Sequence, residues 1–214
     1  MASVLIKNAQ IITMNAGEEI LEGDLYIEND RIIQVGGDLG YAADQIIDAK
    51  NKTVIPGFIQ THIHLCQTLF RGQADDLELM DWLQKKIWPL EAAHDEESSY
   101  YSAMLGLGEL IQSGTTTIVD METVNHTDAA FQAMAESGIR CLSGKVMMDM
   151  GDNVPDLLVE DTTKSIQQSV DLLEKWHQYD NGRIQYAFCP RFVVSCTEEL
   201  LTAVRDLSKH YQVK

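Results

Sequence analysis

From Pro56 and Gly57 onward, short β-branched segments alternate with long amphipathic segments, and this alternation most limits the folds open to the chain. Four segments in this region have strand character, and each is followed by a stretch with apolar residues at helical spacing. The strand candidates are GFIQTHIH, TTTIVDM, IRCLSGKVMM and RIQYAFC. Strands that alternate with helices at this pace form parallel sheets built from βα units. We therefore expect an α/β unit over residues 57–214.

Several residues mark where the helices of this unit begin and end. Asp161, Thr162 and Thr197 precede amphipathic stretches and are expected N-caps. Gly114 follows the stretch EESSYYSAMLGLGELIQ and is expected to end it as the C′ residue. Proline breaks helices in their interior, so the helix in LELMDWLQKKIWPLE is expected to stop at Pro89.

Residues 1–56 follow a different pattern, with short apolar runs separated by Asn, Gly and Asp. The runs are VLIKN, QIITMN, DLYIEN, RIIQVG, QIIDA and KTVIP. This spacing is typical of a small all-β module, and EGDLYIENDRIIQVGG reads as a hairpin that turns at Asn29 and Asp30. We expect residues 1–56 to form a β-rich scaffold.

Composition excludes several classes of protein. The chain of 214 residues is 45% hydrophobic, which argues against disorder even at a net charge of −17. No apolar run approaches the ~20 residues that cross a bilayer, and MASVLIKNAQ lacks the features of a signal peptide. The acidic balance makes nucleic acid and membrane surfaces poor partners. We expect a soluble, cytoplasmic protein with a small-molecule ligand.

The distribution of the cysteines also favours the cytoplasm. Cys66, Cys141, Cys189 and Cys196 are scattered and form no CxxC pair. Such usage suits a reducing environment, and free cysteines are most often buried. We expect four small buried thiols.

His62 and His64 are the sharpest chemical feature of the sequence. They stand two residues apart on a strand, so both imidazoles project to the same side. Sites in parallel α/β folds lie at the carboxyl ends of strands, and imidazole suits zinc or iron. No GxGxxG follows this strand and no P-loop is present, which argues against a nucleotide fold. An isolated HxH can also be an ordinary pair of histidines, but this context favours metal ligands.

Four stretches of the sequence carry recognisable motifs: VIPGFIQTHIHLCQTLFRGQADDLELMDWLQKKIWPLE, SGTTTIVDM, GKVMMD and CPRFVVSC. Together they resemble the amidohydrolase superfamily, in its branch of aminoheterocycle deaminases and triazine chlorohydrolases. The resemblance implies the amino-terminal half of a TIM-type (β/α)₈ metal-dependent hydrolase barrel, preceded by a small β-sandwich module. It also implies one divalent metal, zinc or alternatively iron, with His62 and His64 as two of its ligands. The remaining ligands and the proton-shuttling glutamate of the family lie on later strands, so we expect no catalytic acid or base before Lys214.

The resemblance also implies residues that contact the substrate. Gln67 matches a glutamine that guanine deaminases place against the purine edge, and Arg191 and Phe192 match an Arg-Phe pair that contacts and stacks on the ring. Glu91 matches a glutamate with which nucleoside deaminases hold ribose hydroxyls. Structural alternatives stay open: a polar residue at the start of a helix for Gln67, a surface cation for Arg191 and a solvated carboxylate for Glu91.

The other candidates are weaker. We expect His94, His177 and His210 on the surface, because each lies on a predicted helix among charged residues. His126 follows the second strand in a loop and could face the mouth of the barrel. Lys145 lies on a barrel strand, but the resemblance places the carboxylated lysine of binuclear relatives on the fourth strand, so a single metal is expected.

These expectations define one function and two alternatives. The function is metal-dependent hydrolytic deamination of a purine-like aminoheterocycle, guanine or an adenosine derivative, with release of ammonia. The alternatives are a triazine-type chlorohydrolase on the same scaffold and a catalytically incomplete half-barrel that needs a second chain. The expected partners are a small aminoheterocycle and either a homo-oligomer or a complementing carboxy-terminal half, without nucleic acid or membrane.

Overall fold

The computed structural model describes residues 2–214, and the chain divides into two compact units between Gly57 and Phe58. The strands are β1 (Ser3–Ile12), β2 (Ile20–Glu28), β3 (Arg31–Val35), β4 (Gln45–Asp48), β5 (Thr53–Val54), β6 (Phe58–Ile63), β7 (Thr115–Asp120), β8 (Arg140–Ser143), β9 (Val146–Met147), β10 (Ile184–Tyr186) and β11 (Cys189–Pro190). The helices are α1 (Leu79–Trp82), α2 (Trp88–Ala92), α3 (Glu96–Gln112), α4 (Thr127–Ser137), α5 (Thr162–Trp176) and α6 (Glu198–Tyr211). Short 3₁₀ helices cover Leu65–Phe70, Asp156–Leu158 and Val193–Ser195, and a short helical segment covers Tyr179–Gly182.

The first unit contains one mixed five-stranded sheet in the order β3-β2-β1-β4, with β5 also paired to β1. The predicted hairpin is confirmed: β2 and β3 are antiparallel, and Glu28 lies opposite Arg31. Asn29 turns the chain with a φ of 54°, a conformation that Asn tolerates better than most residues. Residues 2–57 supply one layer of the expected sandwich and no second sheet.

The second unit has the βα organisation that the sequence predicts. Its four-stranded sheet has the order β10-β8-β7-β6, and every pair in it is parallel. Helices α1 to α3 connect β6 to β7, α4 connects β7 to β8, and α5 lies between β9 and β10. Neighbours in sequence are therefore neighbours in the sheet, and the carboxyl ends of the strands lie along one edge.

The strand predicted over IRCLSGKVMM is interrupted at Gly144. Its first part, β8, pairs with β10, and its second part, β9, pairs with β11. A Cβ at Gly144 would lie 1.8 Å from the carbonyl oxygen of Ala187. The two backbones approach so closely here that only glycine fits.

The main core of this unit lies between the sheet and helices α3 to α6. Phe131 stacks on Trp176 and on Tyr186, with ring centroids 5.6 and 5.8 Å apart. Ile118 and Met134 are fully buried against them. Each side chain of this size contributes about 1.5–3 kcal/mol when buried, so this cluster holds the helices on the sheet.

Pro89 does not end its helix, and the prediction that it does so is wrong. The segment Leu83–Ile87 is π-helical, and the N–H of Trp88 donates to the carbonyl oxygen of Leu83. Pro89 then lies in the first turn of α2, where its lack of an N–H is tolerated. The helix continues as far as Ala92 and buries both Trp88 and Glu91.

The other expected helix ends are mostly confirmed. The side chains of Asp161 and Thr197 cap α5 and α6 by accepting from the N–H groups of Lys164 and Leu200. Thr162 is not a cap, because it lies inside the first turn and its hydroxyl donates to Asp149. Gly114 follows the C-cap of α3 with a φ of 88°.

All four cysteines are buried free thiols, as expected. Within residues 2–214, the helices are too short or too polar to cross a membrane.

Candidate functional site

The two histidines of the HxH motif lie at the carboxyl end of β6. His62 is exposed and His64 is half-buried. Their ring centroids are 5.0 Å apart and their planes are nearly perpendicular, at 87°. Imidazole nitrogens bind zinc at about 2.0–2.1 Å, so rings at this separation can share one ion.

His64 is held in the form that binds metals. Its Nδ1 lies 2.8 Å from the carbonyl oxygen of Met121, which can only accept, so Nδ1 carries the proton and Nε2 is a free donor atom. Burial lowers the pKa of His64, and the nearby positive charge of Arg191 acts in the same direction. The ring is therefore neutral at pH 7, as metal coordination requires.

The two histidines fit part of a metal site. Among residues 2–214, no cluster of three or more His, Cys, Asp or Glu side chains is arranged to hold an ion. Catalytic zinc sites usually take three protein ligands. His62 and His64 could therefore supply two ligands of such a site, which would need at least one more.

Three of the expected substrate-contacting residues meet at Glu91. Arg191, directly after β11, donates from Nη1 to Oε2 of Glu91 at 2.6 Å and from Nη2 to Oε1 at 3.2 Å. Gln67 donates from Nε2 to Oε1 at 2.9 Å. The hydroxyl of Thr123 donates to Oε2 at 3.4 Å. Glu91 is therefore the common acceptor of three different segments of the unit.

This ion pair is almost completely removed from solvent. The side chain of Arg191 is 4% exposed and that of Glu91 is 1% exposed. A solvated carboxylate and a surface cation, the structural alternatives left open by the sequence, are both wrong. Two opposite charges that share two hydrogen bonds neutralise each other, so the pair adds polarity to the interior without net charge.

Phe192 lies outside this network. Its side chain is 38% exposed and is followed by the exposed Val193 and Val194. The guanidinium carbon of Arg191 lies 6.0 Å from its ring centroid. The aromatic ring of Phe192 is thus partly accessible next to the buried pair.

A cavity of about 580 Å³ adjoins His64 and Gln67. Phe70, Trp82 and Ile87 give it an apolar wall, and neither Glu91 nor Arg191 lines it. Small-molecule sites commonly have this size and a mostly apolar lining.

Two buried carboxyl groups, Asp120 at the end of β7 and Glu122 just after it, were not predicted from the sequence. Asp120 accepts from the N–H of Leu65 at 2.9 Å and from the hydroxyl of Ser143 at 2.7 Å. Burial raises its pKa to about 6. Burial and the neighbouring charge of Asp120 raise the pKa of Glu122 well above its usual range. Asp120 and Glu122 stand two residues apart in TTTIVDMET, so their side chains are expected on the same side of the strand. The same spacing pointed to His62 and His64.

The prediction that three histidines lie on the surface is wrong for two of them, His94 and His177. His94 is buried, because the start of α3 packs on the turn after β6: its Nε2 donates to the carbonyl oxygen of Cys66 at 2.8 Å. His177 is half-buried, and its Nδ1 accepts from the N–H of Tyr186. His210 is exposed, as expected.

His126 and Lys145 line a second surface cavity, together with Asn125. The side chain of Lys145 is buried, and its Nζ donates to Glu160 at 2.6 Å. His126 is exposed and adopts a φ of 58° just before α4. The amine of Lys145 is thus occupied by an ion pair.

Known proteins resemble this chain over its whole length. It is 41% identical over 210 residues to a 5′-deoxyadenosine deaminase of Methanobrevibacter smithii, covering 98% of this chain and 46% of that protein. It is 38% identical to a 5-methylthioadenosine/S-adenosylhomocysteine deaminase of Thermococcus sibiricus, covering 95% and 46%. The chain spans about half the length of the curated relatives it matches.

Solved structures show the same fold over the same share. The guanine deaminase of E. coli aligns with a TM-score of 0.83 at 29% identity, over 99% of this chain and 52% of that one. The atrazine chlorohydrolase of Arthrobacter aurescens, solved with zinc, aligns with a TM-score of 0.88 at 25% identity, over 99% and 51%. The model of the amidohydrolase family matches residues 53–214. This match takes in all four parallel strands and both motif histidines, and the chain belongs to the amidohydrolase family.

Proposed function

We propose that this chain supplies the amino-terminal part of the active site of a metal-dependent hydrolase, which deaminates guanine or an adenosine derivative and releases ammonia. One observation carries the proposal. His64 directly follows β6 and Arg191 directly follows β11, and Gln67, three residues after His64, donates to the same Glu91 carboxylate as Arg191. The imidazoles that would bind the metal and the donors that would suit a purine edge therefore lie near one another in the fold, which supports the proposal.

The metal of this proposal is a single divalent ion, zinc or alternatively iron. The neutral imidazole of His64, with Nε2 free, and the exposed imidazole of His62 would hold it. A bound divalent ion supplies Lewis-acid activation of water at neutral pH. Lys145, paired with Glu160, offers no free amine for a bridging group, which supports one metal rather than two.

The arrangement around Glu91 favours a planar base as the substrate. Both carboxylate oxygens of Glu91 already accept hydrogen bonds, so Glu91 orients Gln67 and Arg191 instead of holding ribose hydroxyls. The remaining N–H groups of Gln67 and Arg191 would contact the polar edge of the base. The accessible ring of Phe192 would stack on it.

Deamination is preferred over dechlorination on the basis of the relatives. Those at 38–41% identity are named deaminases, whereas the chlorohydrolase shares 25% identity with this chain. Both reactions replace a leaving group on an electron-poor ring, so the same residues are compatible with either. Chloride release is therefore included as an arm of the test.

We further propose that a carboxy-terminal half, on the same chain or on a second one, completes the site. Two imidazoles fall short of a catalytic ligand set. The edge strand β6 also leaves Phe58 and Ile59 exposed, at 56% and 64%. An unpaired edge with apolar side chains is suited to pairing with another strand. Homo-oligomerisation remains a separate proposal, which light scattering of the purified protein tests.

The cytoplasm is the proposed compartment. Four unpaired, buried thiols suit a reducing environment, where disulfides do not persist.

The central test compares two histidine variants. Ammonia release from guanine and 5′-deoxyadenosine, chloride release from atrazine and metal content are measured on the purified protein completed by its carboxy-terminal half. We expect about one metal ion per site, ammonia from a purine substrate and no chloride. The double variant His62→Ala, His64→Ala should lose the metal and at least about 100-fold in kcat/KM, whereas His210→Ala, an exposed control, should keep both. Chloride as the product, or full activity in the double variant, contradicts the proposal.

The half-site is tested separately with the 214-residue chain alone. We expect it to bind zinc weakly and to release no ammonia, and we expect the reading frame beyond codon 214 or a second gene to encode a strand with another HxH. Turnover by the 214-residue chain alone refutes the half-site. Absence of ammonia release from the completed protein refutes the deaminase.

A further inference from the structure

Asp120 joins the carboxyl ends of three neighbouring strands. It is the last residue of β7, the middle strand of β6, β7 and β8. One carboxylate oxygen accepts from the N–H of Leu65, just after β6, and the other accepts from the hydroxyl of Ser143, the last residue of β8. Asp120 and Ser143 are 2% and 0% exposed. Burial of a carboxyl group is costly, and here both of its oxygens are used.

The same short segment of β7 fixes His64 from two sides. Leu65 directly follows His64, so the bond from the Leu65 N–H to Asp120 sets the orientation of the peptide group between them. The carbonyl oxygen of the next residue, Met121, accepts from Nδ1 of the His64 ring at 2.8 Å. The N–H of Met121 in turn donates to the carbonyl oxygen of Ile63 at 3.0 Å. Hydrogen bonds to residues 120–121 thus hold both the backbone next to His64 and its ring.

We propose that Asp120 is a positioning residue that keeps His64 in the tautomer with a proton on Nδ1 and a free Nε2. Without the carboxylate, the turn after β6 loses its link to β7 and β8, and the bond from the ring to Met121 is no longer held in register. The effect of Asp120 on metal affinity rests on the proposed function, whereas its effect on the tautomer does not.

Asparagine is the informative conservative substitution. Its carbonyl oxygen can accept from Leu65, and its NH₂ group can donate to the hydroxyl of Ser143, which is also an acceptor. Asp120→Asn therefore keeps both links without the charge, and Asp120→Ala keeps neither. Asparagine also fills the volume of aspartate, so Asp120→Leu, which has a similar branched shape and no polar group, is the control for packing: a purely space-filling role predicts an unchanged His64 tautomer in Asp120→Leu.

The first measurement is made on the metal-free protein. Long-range ¹H–¹⁵N correlation spectra of ¹⁵N-histidine-labelled protein report the tautomer of each ring. In the unmodified protein and in Asp120→Asn, we expect the His64 signals of a single tautomer with Nδ1 protonated. In Asp120→Ala we expect exchange-broadened signals or a mixture of tautomers. Asp206→Ala, at an exposed carboxylate on α6, is the matched control and should leave His64 unchanged.

The second measurement is zinc affinity by competition with a chelator. Asp120→Ala should weaken binding about 10–100-fold, the usual effect of losing a group that orients a ligand, and Asp120→Asn should stay within about threefold of the unmodified protein. If Asp120→Ala does not fold, Asp120→Ser, whose hydroxyl can reach only one of the two donors, replaces it with the same expected direction. A folded alanine or serine variant with an unchanged His64 tautomer overturns the inference. Unchanged zinc binding in the His62→Ala, His64→Ala variant refutes the metal site instead, and leaves the tautomer result standing.

Discussion

Arg191 and Glu91 form a two-hydrogen-bond ion pair across 100 positions of the chain, at 2.6 and 3.2 Å. The pair joins α2 to the residue that directly follows β11. It therefore connects the first and fourth βα units directly, without passing through the two between them.

Breaking this pair from one side should strongly destabilise the second unit. Arg191→Ala or Glu91→Ala leaves a buried charge without its partner, at a cost of about 3–5 kcal/mol in the free energy of unfolding. All three tryptophans, Trp82, Trp88 and Trp176, lie in this unit, so their fluorescence in a urea titration reports it alone. Arg205→Ala, which breaks the exposed pair with Asp206, should cost no more than about 1 kcal/mol. Equal losses in the buried and exposed variants would show that the pair is not a structural link.

The buried acids at the end of β7 should make stability fall as pH rises. The pKa of Asp120 is raised to about 6 and that of Glu122 is raised further above its usual range, so from about pH 4 upward the folded state binds more protons than the unfolded chain. The stabilisation is complete below the ordinary pKa values of these acids and is lost as pH passes through the raised ones, with a slope of up to about 1.4 kcal/mol per pH unit for each group.

Glu122→Gln should remove the share of Glu122 in that slope. We expect a flatter profile between about pH 4.5 and 8 and a variant more stable than the original chain at pH 8, measured by urea unfolding across this range. Glu174→Gln, at an exposed site on α5, is the control and should run parallel to the original chain. A Glu122→Gln profile parallel to the original would contradict the raised pKa.

Gly144→Ala should be among the most damaging single-methyl additions in the chain. The added carbon would clash with the carbonyl oxygen of Ala187, so the backbones of neighbouring strands must separate, at a cost of about 1–3 kcal/mol or more. Gly108→Ala, in the middle of α3 with no atom within 4 Å of the new carbon, should instead stabilise by about 0.5–1 kcal/mol. Opposite signs in thermal unfolding of the two variants are the expected result; a neutral Gly144→Ala would exclude the close approach.

The thiols should be inert until the protein unfolds. Burial raises the pKa of Cys141 and of Cys189 to about 12, and it raises that of Cys66 well above the usual range. Thiolate is the reactive form, so labelling at pH 8 with a thiol-specific reagent should be slow in buffer and rapid in denaturant. Rapid labelling of the native protein would show that these sites open locally.

The repeating features of the fold could be predicted from the sequence, because they depend on local patterns. Alternating strands and helices, the Asn29 hairpin and the caps at Asp161 and Thr197 each depend on a few adjacent residues. The HxH motif is visible for the same reason, since the period of a strand places both rings on one side.

Features that depend on distant partners were out of reach. Nothing near Glu91 indicates that Arg191 lies against it, and nothing near His94 indicates the carbonyl of Cys66. The pair Asp120 and Glu122 is an intermediate case, because its spacing was visible but its burial depends on the neighbouring strands. Long-range pairing, rather than local propensity, decides these positions.

The π-helical segment Leu83–Ile87 sets the angular phase of everything that follows it in its helix. A π turn accommodates one residue more than an α turn, and each residue of an α-helix advances by about 100° around the axis. With regular α-helical winding here, Glu91 would point about a quarter of a turn or more away from Arg191. A single-residue deletion within this segment would leave the rest of the helix in place. It would still break the contact between Glu91 in the first βα unit and Arg191 in the fourth. Relatives that differ by one residue here would have to meet the fourth strand with a different side chain.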